Sequence, residues 1–375
     1  MKYGHIIIMA MLMSTACSHD SYESRPGDDV PVVDTRTAIS FSGQQGEEKA
    51  VSQGSNRGSG VTRAGTPLSE SATSFTVWGY KNMSYDDGTS SYGDLQTVFP
   101  GYVVNWTANS AATTTSNSNG WEYVNQQESG DEQTIKYWDW GAKAYRYFAV
   151  TDFTTHETNG AHVFTFNADA SSTESINATP YYSRLWFSTG DPIAYADKQF
   201  GKPVQLEFLK PFARVRFMFN YSYAQEGVKV TKKSFKPTDD SKIALKGTVT
   251  VTYPLTGTAI KETYAVTPKA NPGEGETLDA FTEEYIPEGT EKWYTVFPVA
   301  SQGSYTMSVW INNDNQEAAA TRTAVVPAEY MTWLPGYSYT YIFKITEDGG
   351  VIIETVQAAV TPWTELENEH SVYNW

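Results

Sequence analysis

Through most of this chain the apolar residues recur at every second position. In YSYTYIFKI (337–345), Tyr337, Tyr339, Tyr341, Phe343 and Ile345 share one parity, while Ser338, Thr340 and Lys344 take the other. Successive side chains of an extended strand point to opposite faces, so this period specifies strands, and a helix would need apolar residues three and four apart instead. The same alternation marks SFTVWGY (74–80), AYRYFAV (144–150), VQLEF (204–208), RVRFMFNY (214–221), GTVTVTY (247–253), KWYTVF (292–297) and YTMSVWI (305–311). Aromatics form 14% of the residues, with 25 Tyr and 11 Trp, and such side chains favour a pleated surface over a helix. One apolar and one polar face per strand predicts antiparallel sheets packed as β-sandwiches, in an all-β fold.

Gly- and Pro-bearing stretches punctuate these strands. TAISFSG holds a first short strand, in which Ile39 and Phe41 alternate with Ser40 and Ser42. The Gly/Ser/Gln-rich segment GQQGEEKAVSQGSNRGSGVT (43–62) has little to bury and reads as a protease-accessible loop. NWTANSAATTTSNSNG (105–120) reads as the polar tip of a hairpin, and turn-rich GDPIAYADKQFGKP (190–203) precedes a fresh series of strands. These features predict two sandwich domains, 37–200 and 201–375, behind a polar tether at 17–36.

The start of the chain has a different character. Lys2, an apolar run from Ile6 to Met13 and the small residues Ser14, Thr15 and Ala16 compose a secretory signal peptide over residues 1–16. The run is too short to span a bilayer. Cys17, the one cysteine, excludes an internal disulfide and a cysteine-built zinc site. Placed directly after a small-residue site, it resembles the acylated cysteine of a bacterial lipobox, with Ser14 departing from the commonest pattern. Acylation would hold the chain at a membrane.

Charge and motif content narrow the function classes. With 27 basic and 43 acidic residues the formal charge is −16, which repels phosphate backbones and makes nucleic acid an unsuitable partner. No P-loop, dinucleotide fingerprint or nucleophile elbow occurs, so neither a catalytic residue nor a cofactor is expected. His156 and His162, six residues apart in THETNGAH, match no zinc-helix spacing and read as solvated loop residues. The pairs Asp28 and Asp29, Asp86 and Asp87, and Asp239 and Asp240 sit in turn-like surroundings, where Asp bonds its own backbone. A calcium role for Asp86, Asp87 and Asp94 is the alternative there; no metal site is predicted. Trp138 is expected to cap the first core and Trp140 to cover an edge, with sugar stacking as the other use of two exposed indoles.

Several segments together, in order along nearly the whole chain, resemble the fimbrillin family of Bacteroidales, whose members build type V pili. They are the leader ending at Cys17, TAISFSG, the loop ending in TRAGTPL, SFTVWGY, IKYWDWGAKAYRYFAV, VQLEFLKPFARVRFMF, LPGYSYTYIFKI and VIIETVQAAVTPW. The resemblance implies two tandem transthyretin-like sandwiches and a lipid-anchored, surface-exposed precursor at the outer membrane. It also implies a cut after an arginine beyond the first strand, loss of that strand, and insertion of a neighbouring subunit's strand into the opened groove. Arg63 followed by Ala64, or Arg57, would be the cut, and the strand holding Ile39 and Phe41 the one removed. Ile352, Val356, Ala358 and Val360 share one parity in the last strand and suit either donation to a neighbour or completion of their own domain. The implied partners are other fimbrial subunits, with surface glycans held by exposed aromatics as the alternative function.

Overall fold

Each alternating segment forms a strand, because its apolar parity can be buried only against another sheet. The computed structural model describes residues 37–45, 66–84, 95–107, 120–127, 130, 132–189, 200–224, 226–255, 261–283, 292–299, 303–313, 320–347, 350–360 and 369–371. These lie within one unit, Thr37–Trp375. Its first half holds β1 (Phe41–Gln45), β2 (Thr66–Pro67), β3 (Ser74–Asn82), β4 (Leu95–Trp106), β5 (Trp121–Glu122), β6 (Ala144–Val150), β7 (Thr155–Thr158), β8 (Ala161–Asp169), α1 (Thr173–Ala178), β9 (Tyr182–Ser183), β10 (Trp186–Thr189) and β11 (Val204–Leu209). The second half holds β12 (Ala213–Asn220), β13 (Val228–Pro237), β14 (Ile243–Ala244), β15 (Lys246–Pro254), β16 (Thr263–Pro268), β17 (Thr277–Leu278), β18 (Phe281–Glu283), β19 (Tyr294–Val296), β20 (Tyr305–Asn313), β21 (Ala320–Val326), β22 (Tyr337–Ile345), β23 (Val351–Val360) and β24 (Glu369–Ser371). The all-β reading of the sequence is what the structure shows.

The first sheet runs β2-β1-β11-β9-β6-β3-β4-β5, with β10 beside β6. It rolls onto itself: Tyr123, just past β5, donates its hydroxyl to the Ile39 carbonyl at the other end of the sheet (2.9 Å). Inside lie Phe41, Phe75, Phe99, Trp121, Tyr147 and Phe208. In the second half, β19-β12-β22-β23-β24 and β18-β13-β20-β21 face each other across Phe217, Phe235, Tyr305, Met307, Trp333 and Tyr341. Two buried polar groups there pair with each other and with the backbone: Trp333 Nε1 donates to Tyr341 Oη (2.8 Å) and Tyr341 Oη donates to the Tyr330 carbonyl (2.9 Å).

A third sheet, β16-β15-β8-β7, draws one hairpin from each half of the chain. β8 and β15 pair antiparallel in continuous register from Asp169↔Lys246 to Ala161↔Pro254. Phe164, Phe166, Val249, Val251 and Tyr253 from this sheet pack on Trp78, Tyr80, Phe148 and Val150 from the outer face of the first. β6 is therefore buried on both faces along its whole length, and the polar face expected of AYRYFAV does not meet solvent. Arg146, buried there, donates through Nη1 to the Pro254 carbonyl. The chain crosses from β11 to β12 at Lys210–Phe212. Lys210 Nζ is fixed there by the Asn177 (2.9 Å) and Thr179 carbonyls at the end of α1, and Gly336 N donates to the Phe212 carbonyl (2.6 Å).

Two details depart from the sequence reading. Most strand pairs are antiparallel, but β1 runs parallel to β11 and β12 parallel to β22. Ser338 and Thr340, expected on a solvated face of β22, are each only 2% exposed. Arg216, cross-strand from Thr340, donates Nε to its hydroxyl (2.9 Å), and the Trp293 ring lies over both Arg214 and Arg216, covering this polar row.

Phe148 is stacked on Tyr253 at 4.3 Å and 7° in the layer between the first and third sheets. Replacing it by alanine removes a fully buried ring from that layer and is expected to cost about 3–5 kcal/mol. Urea unfolding followed by tryptophan fluorescence checks the shift.

Candidate functional site

The segment Thr37–Gln45 is wedged between Lys136–Trp138 on one side and β11 on the other. At its start, Ile39 N donates to the Lys136 carbonyl (2.8 Å) and Trp138 N to the Thr37 carbonyl (3.0 Å). Beyond, Val204 N donates to the Ser40 carbonyl (2.8 Å), and β1 lies parallel to β11 from Phe41↔Val204 to Gln45↔Phe208. β2 meets it only at Gln44 and Gln45. Ile39 and Phe41 are both fully buried. The Phe41 ring is the hub of the first core, with edge-on neighbours Phe99 (5.2 Å), Tyr147 (5.8 Å), Tyr123 (6.0 Å) and Phe75 (6.3 Å). The next inward position is Gly43. A side chain there would start 3.2 Å from Leu68 Cβ, because buried Leu68 already fills that part of the core.

This strand is thus anchored by two large side chains and a gap. Burying them contributes about 3–6 kcal/mol before entropy, at about 1.5–3 for each large side chain. Gln45 and Thr66 pair directly, so a chain break anywhere in 46–65 would leave β1 held to the rest by non-covalent contacts alone. The candidate processing residues Arg57, Arg63 and Ala64 lie outside the described residues, as does the candidate lipidation residue Cys17.

At the other end, β23 pairs antiparallel with β22 from Tyr337↔Val360 to Ile345↔Val351, and β24 pairs with β23 at Thr355–Gln357. The backbones of Val356, Ala358 and Val360 lie opposite Tyr341, Tyr339 and Tyr337; their side chains lie outside the described set. Ile352 is 49% exposed. Within this chain the last long strand completes its own sheet.

The histidines are not loop residues. Asn159–Gly160, with Gly160 at φ +69°, turns β7 into β8, and the alternation in AHVFTF carries His162 inward to 3% exposure. Its Nε2 lies 2.6 Å from Tyr80 Oη on β3, and its Nδ1 lies 2.8 Å from His156 Nε2. His156 stacks flat on Phe164 at 4.3 Å, and the Trp78 ring lies 5.1 Å from His156 and 5.8 Å from His162. Burial, and secondarily the charge of His156, push His162 down to about 4; burial also lowers His156 and raises Tyr80 to about 12. An Asn-Gly pair between alternating segments is a strong hairpin signal, and it was present in the sequence.

Elsewhere the sequence candidates take structural places. Trp138 is buried and stacked on Phe200 at 5.3 Å, while Trp140 is 55% exposed with its indole over Gly201. Asp239 Oδ1 accepts from Ser241 N (3.0 Å) in the expected turn, and Asp240, at φ +61°, pairs with Lys236 at 2.5 Å. Asp28, Asp29, Asp86, Asp87 and Asp94 lie outside the described residues. Among the described residues no three His, Cys, Asp or Glu side chains converge on a metal position, and no helix is long and apolar enough to cross a membrane.

No family model and no curated protein sequence matches the chain. Solved structures do. One, described as a candidate cell adhesion protein from Bacteroides ovatus, is 15% identical, aligns over 89% of this chain and 99% of its own, and gives a TM-score of 0.38. A second candidate cell adhesion protein, from Bacteroides uniformis, is 10% identical over 86% and 99% of the two chains, with a TM-score of 0.35. The fimbrial anchor protein Mfa2 from Porphyromonas gingivalis is 12% identical over 84% and 94%, with a TM-score of 0.24.

Because Phe41 touches four aromatic neighbours in a closed core, Phe41→Ala is expected to cost about 3–5 kcal/mol, against about 0.5–1.5 for Ile39→Val. Chemical denaturation of the uncleaved protein measures both.

Proposed function

We propose that this protein is a structural, non-catalytic subunit of a cell-surface fimbria, assembled by exchange of strands after the first strand is removed. The observation that carries this reading is the setting of Thr37–Gln45. Its removal would open a groove along β11 whose floor includes Phe75, Phe99, Tyr123, Tyr147 and Phe208, with unpaired main-chain groups on one side. An extended segment with alternating apolar side chains fits such a groove, the main chain supplying affinity and the side chains register. In this reading the cut falls after Arg63 or Arg57, and the last strand, with Ile352, Val356, Ala358 and Val360, leaves β22 of one subunit to enter the groove of the next. Two domains meeting near residue 200 belong to the same proposal, as do acylation of Cys17 and attachment of the precursor to the outer membrane.

An arginine-specific protease acting on purified precursor is expected to cut within 57–64 and to yield ladders of oligomers that survive warming in detergent. A variant ending at residue 350 should be cut equally and remain monomeric, provided its uncleaved form keeps a cooperative melt. Cleaved full-length protein that stays monomeric at high concentration would exclude a polymerising role.

Cys17→Ala is expected to abolish incorporation of labelled palmitate and release the protein from the membrane fraction. Absence of label in the unaltered protein would remove the anchor from this account.

A further inference from the structure

We propose that Tyr80, His162 and His156 form a proton-sensitive latch that holds the β7–β8 hairpin, and with it the third sheet, against the first sheet near neutral pH and releases it on acidification. The chain of contacts runs from Tyr80 Oη through both nitrogens of His162 to His156 Nε2, at 2.6 and 2.8 Å. A neutral imidazole carries one proton, so only two arrangements satisfy it. If His162 Nε2 bears the proton, the Tyr80 hydroxyl hydrogen faces no other acceptor among the described residues, which costs the desolvation of that group. If Nδ1 bears it, Tyr80 donates to Nε2, Nδ1 donates to His156 Nε2, and every group is satisfied. The second arrangement is therefore the resting one.

It runs in one direction and ends at half-buried His156, which is the entry point from solvent. A proton arriving at His156 Nε2 turns that acceptor into a donor facing the Nδ1–H of His162. Thr158 Oγ1, at 3.4 Å from the same nitrogen, offers only a long alternative acceptor, and the close contact is relieved when the His162 proton moves to Nε2, where it strands the Tyr80 hydroxyl hydrogen. Protonating His162 itself places a cation among Trp78, Phe148 and Phe164. The titratable and charged groups on the surrounding strands are Tyr80 on β3, Arg146 cross-strand from Tyr80 on β6, His156 on β7 and Tyr253 cross-strand from His162 on β15. Either event reverses the hydrogen bond between Tyr80 and His162, leaving the hydroxyl hydrogen without the acceptor it had, and so weakens the link between β3 and β8.

The sign follows from linkage. Both folded-state values lie below the ordinary histidine range, so the unlatched form binds protons first, and the latch is whole above about pH 6.5 and fails as pH falls toward 4. Each unit across that window is worth about tenfold in the opening equilibrium per proton taken up.

Amide hydrogen exchange on the full chain, corrected for intrinsic rates, is expected to show protection in Thr155–Asp169 falling about tenfold per pH unit between 6.5 and 4.5, while β13 and β20 hold theirs. His162→Gln should flatten that slope. Equal slopes in wild type and variant, or equal losses in β13 and β20, would overturn the latch. Imidazole nitrogen spectra of the wild type give a check that needs no variant: His162 should carry its proton on Nδ1 at pH 7.5, and finding it on Nε2 would equally overturn the proposal.

Discussion

The pairing of β8 with β15 is the contact on which the rest of the structure depends. It joins a hairpin from the first half of the chain to one from the second in nine consecutive residue pairs, from Asp169↔Lys246 to Ala161↔Pro254. Once that sheet exists, its inner face must be covered, and Trp78, Tyr80, Phe148 and Val150 on the outside of the first sheet cover it. Burial of β6 on both sides, the internal bond of Arg146 to the Pro254 carbonyl, and the enclosure of His162 all follow from this one layer. A hairpin alone is only marginally stable in water, so neither β7–β8 nor β15–β16 would keep this geometry without the other.

The first strand sits under opposed constraints. Its inward side chains are as buried as any in the protein, and Phe41 touches rings from four separate segments. Yet its inward row ends at Gly43, its one long partner runs parallel, and β2 meets it at only two residues. Such a strand stabilises the fold strongly, and in the proposed assembly its departure would leave a deep aromatic groove and a bare edge. A replacement with a larger residue opposite Gly43 would meet Leu68, so the occupant of such a groove is selected by size at that position.

The comparison between sequence and structure turns on which burial is local. Strands such as AYRYFAV and YSYTYIFKI were legible because a period of two needs no knowledge of partners. The inward placing of Ile39 and Phe41 was legible for the same reason. The burial of Ser338 and Thr340 was not, because it depends on Trp293 and Arg216 arriving from other strands. His162 was missed although Asn159–Gly160 announced its hairpin, since a turn tells which residues alternate but not which face is covered.

The sequence by itself determined the all-β class, the position of most long strands and the parity of each, because local sterics and alternation act within a few residues. Only the tertiary structure decided that the two halves share a sheet, that β1 and β12 find parallel partners, and that Tyr80 meets His162 across 82 residues of chain. Those outcomes are set by which apolar faces can cover one another after the chain has collapsed, and strand pairing at long separation has no local signature.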